Sequence, residues 1–142
     1  MDVQTYGVLR IDDQHYGIAL SAIKSIEASD KVILADGVHV INFFATDYPV
    51  KNIVPDTQGN EFNLRELVLV LNSENQQAIL VDNFQSMQLN EDYIHSLPAI
   101  MKHEASFIDS IYFDPISKNI IYLCNEQNFY QYLDDDRNDS DV

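Results

Sequence analysis

Two stretches of the chain, residues 4–29 and 65–90, share the same order of apolar and polar positions and align 61 positions apart without a gap. In each stretch, two short apolar segments flank a few polar residues, which is the pattern of a β-hairpin. Among the aligned apolar pairs are Tyr6 with Leu67, Val8 with Leu69, Leu9 with Val70 and Ile18 with Ile79. The similarity predicts that the chain contains an internal duplication.

A second pair of segments extends this repeat at a different offset. Residues 47–53 and 114–120 both begin with Asp and end in Lys-Asn-Ile, and they lie 67 positions apart (114 − 47). The difference from 61 predicts a single insertion of six residues between about Asn90 and Ser106.

Short segments rich in β-branched, aromatic and aliphatic residues predict strands along most of the chain. The main predicted strands are Thr5–Ile11, His15–Leu20, Val38–Thr46, Val50–Val54, Leu67–Leu71, Ser106–Phe113 and Asn119–Cys124. Turns are predicted at residues 12–14, 47–49 and 114–117, each of which contains Asp, accompanied by Pro in the last two. About ten short strands at this spacing favour antiparallel sheets that close on themselves.

Three short helical segments are predicted between the strands. Ser21 is suited to cap one turn that carries Ile23 and Ile26. Asn90 is followed by two acids and by an apolar face that continues to Pro98. Asn125 precedes an apolar stripe at i, i+3 and i+4, which is typical of an amphipathic helix. The stripe consists of Phe129, Tyr132 and Leu133.

These elements together predict a mainly β fold of two pseudo-repeated, five-stranded β-barrels with a few short helices. We expect one domain over residues 1–133, with a first barrel copy over about 4–57, a second over about 65–124 and a C-terminal helix over about 125–133. Residues 134–142 contain five aspartates and almost no apolar groups, so they predict a disordered acidic tail.

The charge balance restricts the possible partners. The chain has 23 acidic residues against 8 Lys and Arg, which gives a formal net charge of −15. Such a field repels phosphate backbones and anionic membranes, so neither nucleic acid nor direct membrane insertion is expected. One cysteine cannot form an internal disulfide, and no apolar run approaches the length of a membrane helix. A cytoplasmic location is predicted.

Candidate residues for chemistry are few, and none forms a recognised motif. The four histidines are not spaced as metal ligands, and the four glycines are isolated, so no phosphate-binding loop is predicted. Cys124 ends an apolar strand, where a small hydrophobic residue packs well. Residues 134–139 resemble the start of a calcium loop but have Asp139 at the required glycine. The sequence therefore predicts no enzyme, no cofactor and no metal site.

The duplicated plan and the segments 16–26 and 78–87 resemble the CheW-like domain of bacterial chemosensory systems. Residues 78–84, Ala-Ile-Leu-Val-Asp-Asn-Phe, are similar to the family's aliphatic strand that runs into Val, Asp and a hydrophobic turn. Leu97 and Pro98 match a Leu-Pro pair of the family, and residues 49–53 match its Pro and branched aliphatic positions. The resemblance covers about residues 4–125.

The resemblance implies two five-stranded barrels that share a core and act as a non-enzymatic coupling module. Members of the family bridge methyl-accepting receptors to the regulatory domain of a CheA-type histidine kinase. One barrel end is expected to meet the kinase, and the groove between the barrels is expected to meet the helical receptor tip.

The chain departs from the family at one signature. The family's Asn-Leu-Arg-Gly falls on residues 42–45, so Phe44 occupies the place of the arginine, and Asn52 replaces a nearby aspartate. An aromatic ring therefore replaces a cation, which predicts an apolar anchor and a shifted partner set, for example in an array that controls type IV pili. The predicted contact residues are Phe43, Phe44, Asp47 and Tyr48.

A small-molecule-sensing β-barrel is the alternative. It predicts an interior cavity of several hundred cubic ångströms, whereas an adaptor predicts filled barrels and an exposed apolar patch.

Overall fold

The computed structural model describes residues 3–53, 64–96 and 107–135. These ranges contain twelve strands, one α-helix and three 3₁₀ turns. The strands are β1 (Val3–Ile11), β2 (Gln14–Ala19), β3 (Ile23–Ala28), β4 (Ile33–Ala35), β5 (Val38–Phe43), β6 (Thr46–Lys51), β7 (Leu67–Leu71), β8 (Ala78–Val81), β9 (Asn83–Asn90), β10 (Ile94–Ser96), β11 (Ile108–Phe113) and β12 (Ile120–Cys124). The helix is α1 (Glu126–Asp135), and the 3₁₀ turns are Leu20–Ala22, Ser29–Lys31 and Glu91–Tyr93.

The strands form two six-stranded sheets, one in each of two compact units. The first unit takes the described residues up to Leu20 and those from Phe84 onward, and its sheet has the order β10-β11-β12-β2-β1-β9. The second unit takes the described residues between Ser21 and Asn83, and its sheet has the order β4-β5-β6-β8-β7-β3. The predicted mainly β class is confirmed, with six strands in each sheet instead of the predicted five.

The two sheets have the same topology, which supports the duplication. Each strand of the second sheet has a counterpart in the first sheet whose number is six higher, when β1 is counted as following β12. If each strand is replaced by its counterpart, the order of the second sheet becomes the order of the first. In both sheets the central contact is parallel, between β6 and β8 in one and between β12 and β2 in the other. The hairpin pairings on either side of these contacts are antiparallel, as is the pairing of β3 with β7.

The duplicated halves of the sequence do not coincide with the two units. Each sheet combines a hairpin from one half with four strands from the other half: β1–β2 joins β9–β12, and β7–β8 joins β3–β6. The barrel boundaries predicted at residues 4–57 and 65–124 therefore do not describe the two sheets. The reason is that the chain changes sheet after β2 and again after β8. The assignment of residues 1–133 to one domain stays a prediction.

The strand register also corrects the predicted insertion. Val50 lies opposite Ala78, and Leu123 lies opposite Gly17. Since Gly17 and Ala78 are equivalent at the offset of 61, Val50 and Leu123 are equivalent at an offset of 73 (123 − 50). The match of residues 47–53 with 114–120 is wrong, because Asp47 lies within β6, whereas residue 114 follows β11.

Each unit has its own apolar cluster, and the two clusters use equivalent strand positions. The cluster in the second unit contains Ile41, Tyr48, Val50, Val68, Val70, Ala78 and Leu80. The cluster in the first unit contains Val8, Leu89, Tyr112, Ile121 and Leu123. Ile41, Tyr48 and Val50 have the positions that Tyr112, Ile121 and Leu123 have in the other sheet. The register therefore agrees with the packing.

Two predicted local structures are wrong. Residues 23–28 form β3, paired with β7, and the predicted helical turn that begins at Ser21 is limited to Leu20–Ala22. The turn predicted at residues 47–49 lies inside β6. Pro49 is tolerated there because β8 pairs with β6 only at Val50 and Lys51, so the Pro49 nitrogen is not needed for that ladder.

The two predicted Asn caps are present. The Asn90 side chain accepts a hydrogen bond from the Asp92 amide at 2.9 Å, although only one 3₁₀ turn follows it. The Asn125 side chain accepts from the Asn128 amide at 3.0 Å and begins α1. Phe129 and Leu133 of α1 are each 1% exposed, so the predicted apolar stripe packs into the first unit. Pro98 and the predicted acidic tail beyond residue 135 lie outside the described residues.

Candidate protein-interaction surface

The β5–β6 hairpin places a large aromatic residue in its turn. Phe43 pairs with Thr46, so Phe44 and Ala45 form a two-residue loop. Both have positive φ angles, 50° at Phe44 and 65° at Ala45. A loop of this kind normally carries Asn-Gly or a similar pair, because side chains with a Cβ are disfavoured at positive φ. We call Phe44 and Ala45 the hairpin tip.

Phe44 is also open to solvent, with 87% of its surface exposed. Its ring meets the ring of Phe43 edge to face, with centroids 4.6 Å apart and an angle of 76° between the planes. Phe43 in turn is half-buried and packs against the apolar cluster of the second unit. The tip therefore presents an exposed ring that is supported from below by a second ring.

Tyr48 lies beneath this pair and is part of the core. It is 5% exposed, and its ring lies 6.0 Å from that of Phe43 at 84°. Lys24 donates a hydrogen bond to the Tyr48 hydroxyl at 3.1 Å, and its ammonium nitrogen lies 5.5 Å from the ring centroid. These contacts satisfy the buried hydroxyl and place a cation over the ring face.

Asp47 lies on the exposed side of the same hairpin. Its carboxylate accepts a hydrogen bond from the Asn42 side chain at 2.9 Å, and the two residues are opposite each other across β5 and β6. Of the four predicted contact residues, Phe44 and Asp47 are therefore exposed, Phe43 is half-buried and Tyr48 is buried.

Other exposed apolar residues were not foreseen from the sequence. Ile116, in the turn between β11 and β12, is 91% exposed. Asp114 orders this turn by accepting hydrogen bonds from the amides of Ile116 and Ser117. The bond from the Ile116 amide, followed by hydrogen bonding from the Ser117 side chain, lowers the pKa of the Asp114 carboxyl. Ile33, Leu34 and Val38 are exposed at 54%, 64% and 48%. We call these last three residues, on β4 and the start of β5, the edge patch.

A part-buried ion pair lies at the end of β8. Arg65 donates to the Asp82 carboxylate at 2.8 Å and to the Asn52 side-chain oxygen at 3.0 Å. The Arg65 and Asp82 side chains are only 15% and 21% exposed. Arg65 therefore links the side chain of Asn52 to that of Asp82.

The described ranges contain no cluster of side chains that could hold a metal ion. No set of three or more His, Cys, Asp or Glu side chains in these ranges is arranged around a common point. Burial raises the pKa of the Cys124 thiol, which keeps it protonated near neutral pH. A surface cleft of about 250 Å³ lies between the β1–β2 and β11–β12 turns. Its lining is mostly polar, with Asp13, Gln14, His15, Lys118, Asn119, Ile120 and Tyr122.

None of the helices in the described ranges is long and apolar enough to cross a membrane.

The topology and surface together define a class: a mainly β protein whose two sheets repeat one topology, with an exposed aromatic residue on a strained turn. The structure is similar to the crystal structure of the scaffolding protein TtCheW from Thermoanaerobacter tengcongensis, with a TM-score of 0.67 and 12% sequence identity. The match covers 87% of this chain and 89% of that chain. At this identity the likeness shows a CheW-like fold. No protein-family model and no curated protein sequence matches the chain.

Proposed function

We propose that this protein is a non-enzymatic adaptor of a bacterial chemosensory array, which couples methyl-accepting receptors to a CheA-type histidine kinase through protein–protein contacts. Three features support the proposal: the CheW-like fold, the likeness to a structure that is itself a scaffolding protein, and the resemblance of the 78–84 segment to the CheW-like family.

The observation that carries the proposal is the combination of strain and exposure at Phe44. A residue with a Cβ in the left-handed region costs roughly 1–2 kcal/mol, and the exposed ring gains little from burial in the free protein. Strained backbone positions occur preferentially at functional sites. Aromatic anchors in turn supply much of the binding free energy at protein interfaces. Phe44 is therefore proposed as the principal contact, with Phe43 and Tyr48 as its support and Asp47 at its polar edge.

Phe44 also indicates the chemistry of the partner surface. By resemblance, an arginine is expected at this position, and its loss removes a planar cation that binds carboxylates bidentately. The partner surface should accordingly offer an apolar pocket instead of an acidic group. We propose that the kinase and receptor belong to a divergent array, such as one that controls type IV pili.

Titration of the purified protein against the cognate kinase regulatory domain and the receptor tip tests the proposal. We expect binding at micromolar concentrations or tighter to at least one of them, and at least tenfold weaker binding after Phe44→Asn. Asparagine keeps a side chain that tolerates positive φ while it removes the ring. Ile116→Asn is the matched control, because it removes an equally exposed apolar side chain from the turn between β11 and β12. The absence of binding to either partner at tens of micromolar would contradict the adaptor function.

A further inference from the structure

The edge patch is located on the last strand of the second sheet. One side of β4 pairs with β5, and among the strands that the structure describes none lies on its other side. Ile33 and Val38 point to one face of the sheet, because they belong to the pairs Ile33–Val40 and Ala35–Val38, while Leu34 points to the other face. Apolar side chains therefore border the free edge of β4 on both faces.

Because of the duplication, this edge can be compared with the equivalent edge of the first sheet, which is β10. Pro49 and Tyr122 each come one residue before Val50 and Leu123, the equivalent residues of the two parallel contacts. Val40 lies opposite Pro49 and Ile111 lies opposite Tyr122, so Val40 and Ile111 are also equivalent. Ile33, the partner of Val40, is therefore equivalent to His95, the partner of Ile111.

The same register gives the counterpart of Leu34. Leu34 corresponds to Ser96, whereas the pairing of β11 with β12 is irregular between Ile108 and Ser110, so the register assigns no counterpart to Val38. Both edge-patch residues on β4 thus have polar counterparts in the other sheet, where His95 and Ser96 are exposed. The fold tolerates polar residues at these positions, so packing does not explain why they are apolar on β4.

An exposed edge strand is a template for another strand, and natural proteins usually protect such edges with charged or otherwise unfavourable residues. The β4 edge has Ile33 and Leu34 instead. We propose that this edge binds an extended segment of a partner protein, which adds to the sheet as a further strand and covers the edge patch.

The charges around β4 indicate the composition of that segment. Asp30 precedes β4, Asp36 follows it, and neither is fully buried. The cation between Asp30 and the strand, Lys31, is bound by Glu27 at 2.8 Å. The local field is therefore negative, which favours a segment in which Lys or Arg alternates with apolar residues. A second copy of this chain, with its own net charge of −15, is disfavoured by repulsion.

The edge patch is separate from the hairpin tip. Val38 and Phe44 are six positions apart along an extended strand, which corresponds to about 20 Å. The proposal goes beyond the adaptor function, because it assigns a second contact surface whose partner is defined by its own chemistry.

Selection from a library of random ten-residue peptides, displayed on phage and captured by the immobilised protein, tests the proposal. The double variant Ile33→His with Leu34→Ser copies the residues of β10 and serves as the subtracting surface. We expect enriched peptides with apolar residues at alternate positions and Lys or Arg between them. A synthetic copy of the best peptide should bind the double variant at least tenfold more weakly and should slow amide exchange at Ile33–Ala35.

Phe44→Asn should change the affinity of the same peptide less than twofold. This measurement therefore distinguishes a loss of binding at the edge patch from a loss of binding at the hairpin tip. The single variant Leu34→Ser replaces the double variant if the latter has a lower melting temperature. Equal binding to the variant, enrichment of acidic or helix-forming peptides, or no enrichment at all would overturn the proposal. So would a dimer of the protein that is lost in the variant, because the edge would then be occupied by a second copy.

Discussion

The ring of Phe44 meets the ring of Phe43 edge to face, with 4.6 Å between their centroids. Phe43 makes a similar contact with Tyr48 at 6.0 Å, and Lys24 donates a hydrogen bond to the Tyr48 hydroxyl. A continuous set of contacts therefore connects the exposed tip with the core of the second unit. This support holds Phe44 in place without burying it.

Replacement of the tip by Asn-Gly should stabilise the protein. In the double variant Phe44→Asn with Ala45→Gly, both residues suit positive φ, so we expect the free energy of unfolding to rise by about 1 kcal/mol. The change is offset in part by the lost contact between the rings of Phe43 and Phe44, which is worth roughly 0.5–1.5 kcal/mol. Urea unfolding, compared with Ala45→Gly alone, separates the two terms. A loss of stability in Ala45→Gly would show that the turn is not strained.

The turn also illustrates what the sequence could not specify. Turn propensity is stronger at residues 47–49 than at Phe44 and Ala45. The sequence therefore predicts the turn at residues 47–49. The observed register instead places Tyr48 in the core and exposes Asp47. Burial of an aromatic ring outweighs a turn preference, and a local pattern does not contain this tertiary contact. Phe44 stands out in the sequence only through its departure from a signature of the CheW-like family that the chain resembles.

Long-range pairing explains the other main error. Ile23 and Ile26 are three positions apart, which suits one helical turn as well as a short strand. Ile23–Ala28 form a strand because they pair with β7, which lies about forty residues later in the sequence. The hairpins β1–β2, β7–β8 and β11–β12 were predicted correctly, because each has its partner strand nearby in sequence.

Gly17 should not tolerate even a methyl group. A Cβ at Gly17 would lie 2.7 Å from Leu123 Cδ2 and 3.4 Å from Ile121 Cγ2. Leu123 is 3% exposed and Ile121 is 4% exposed, so the added methyl group would have to displace a buried side chain. Gly17→Ala should therefore lower the free energy of unfolding by about 1–3 kcal/mol through overpacking.

The control is Ala78→Gly at the equivalent position of the other sheet. It removes a buried methyl group and increases backbone freedom, and it should cost about 1 kcal/mol for those different reasons. Thermal unfolding of both variants checks the comparison. An unchanged melting temperature for Gly17→Ala would contradict the close packing of β2 against β12.

The Arg65–Asp82 ion pair should contribute measurably to stability, unlike most surface pairs. Both side chains are largely buried, so Arg65→Met leaves the Asp82 carboxylate without its 2.8 Å donor in a partly desolvated position. We expect a loss of roughly 1–3 kcal/mol, with little dependence on salt. A double-mutant cycle with Asp82→Asn should give a coupling energy of roughly 0.5–3 kcal/mol. A coupling near zero would show that the pair is no more than a surface contact.

Glu27 should show a pH effect of predictable sign. The hydrogen bond from Lys31, followed by that from Ser25, lowers the pKa of the Glu27 carboxyl below its ordinary value of 4.5. A pKa that is lower in the folded state means that the charged form stabilises the fold. This contribution is fully present above pH 4.5 and is lost as the pH falls through the lowered pKa of the folded state.

Removal of the Lys31 ammonium in Lys31→Met should raise the pKa of Glu27 toward its ordinary value and reduce the loss of stability on acidification. Carboxyl carbon chemical shifts measured during an NMR titration report this pKa directly. High salt should have an effect of the same sign in the wild-type protein, because the pair lies at the surface and is screened. Lys31→Arg, which keeps a cation at this position, is the control and should keep the pKa of Glu27 lowered. If the pKa of Glu27 is the same in Lys31→Met and in the wild type, Ser25 alone determines it.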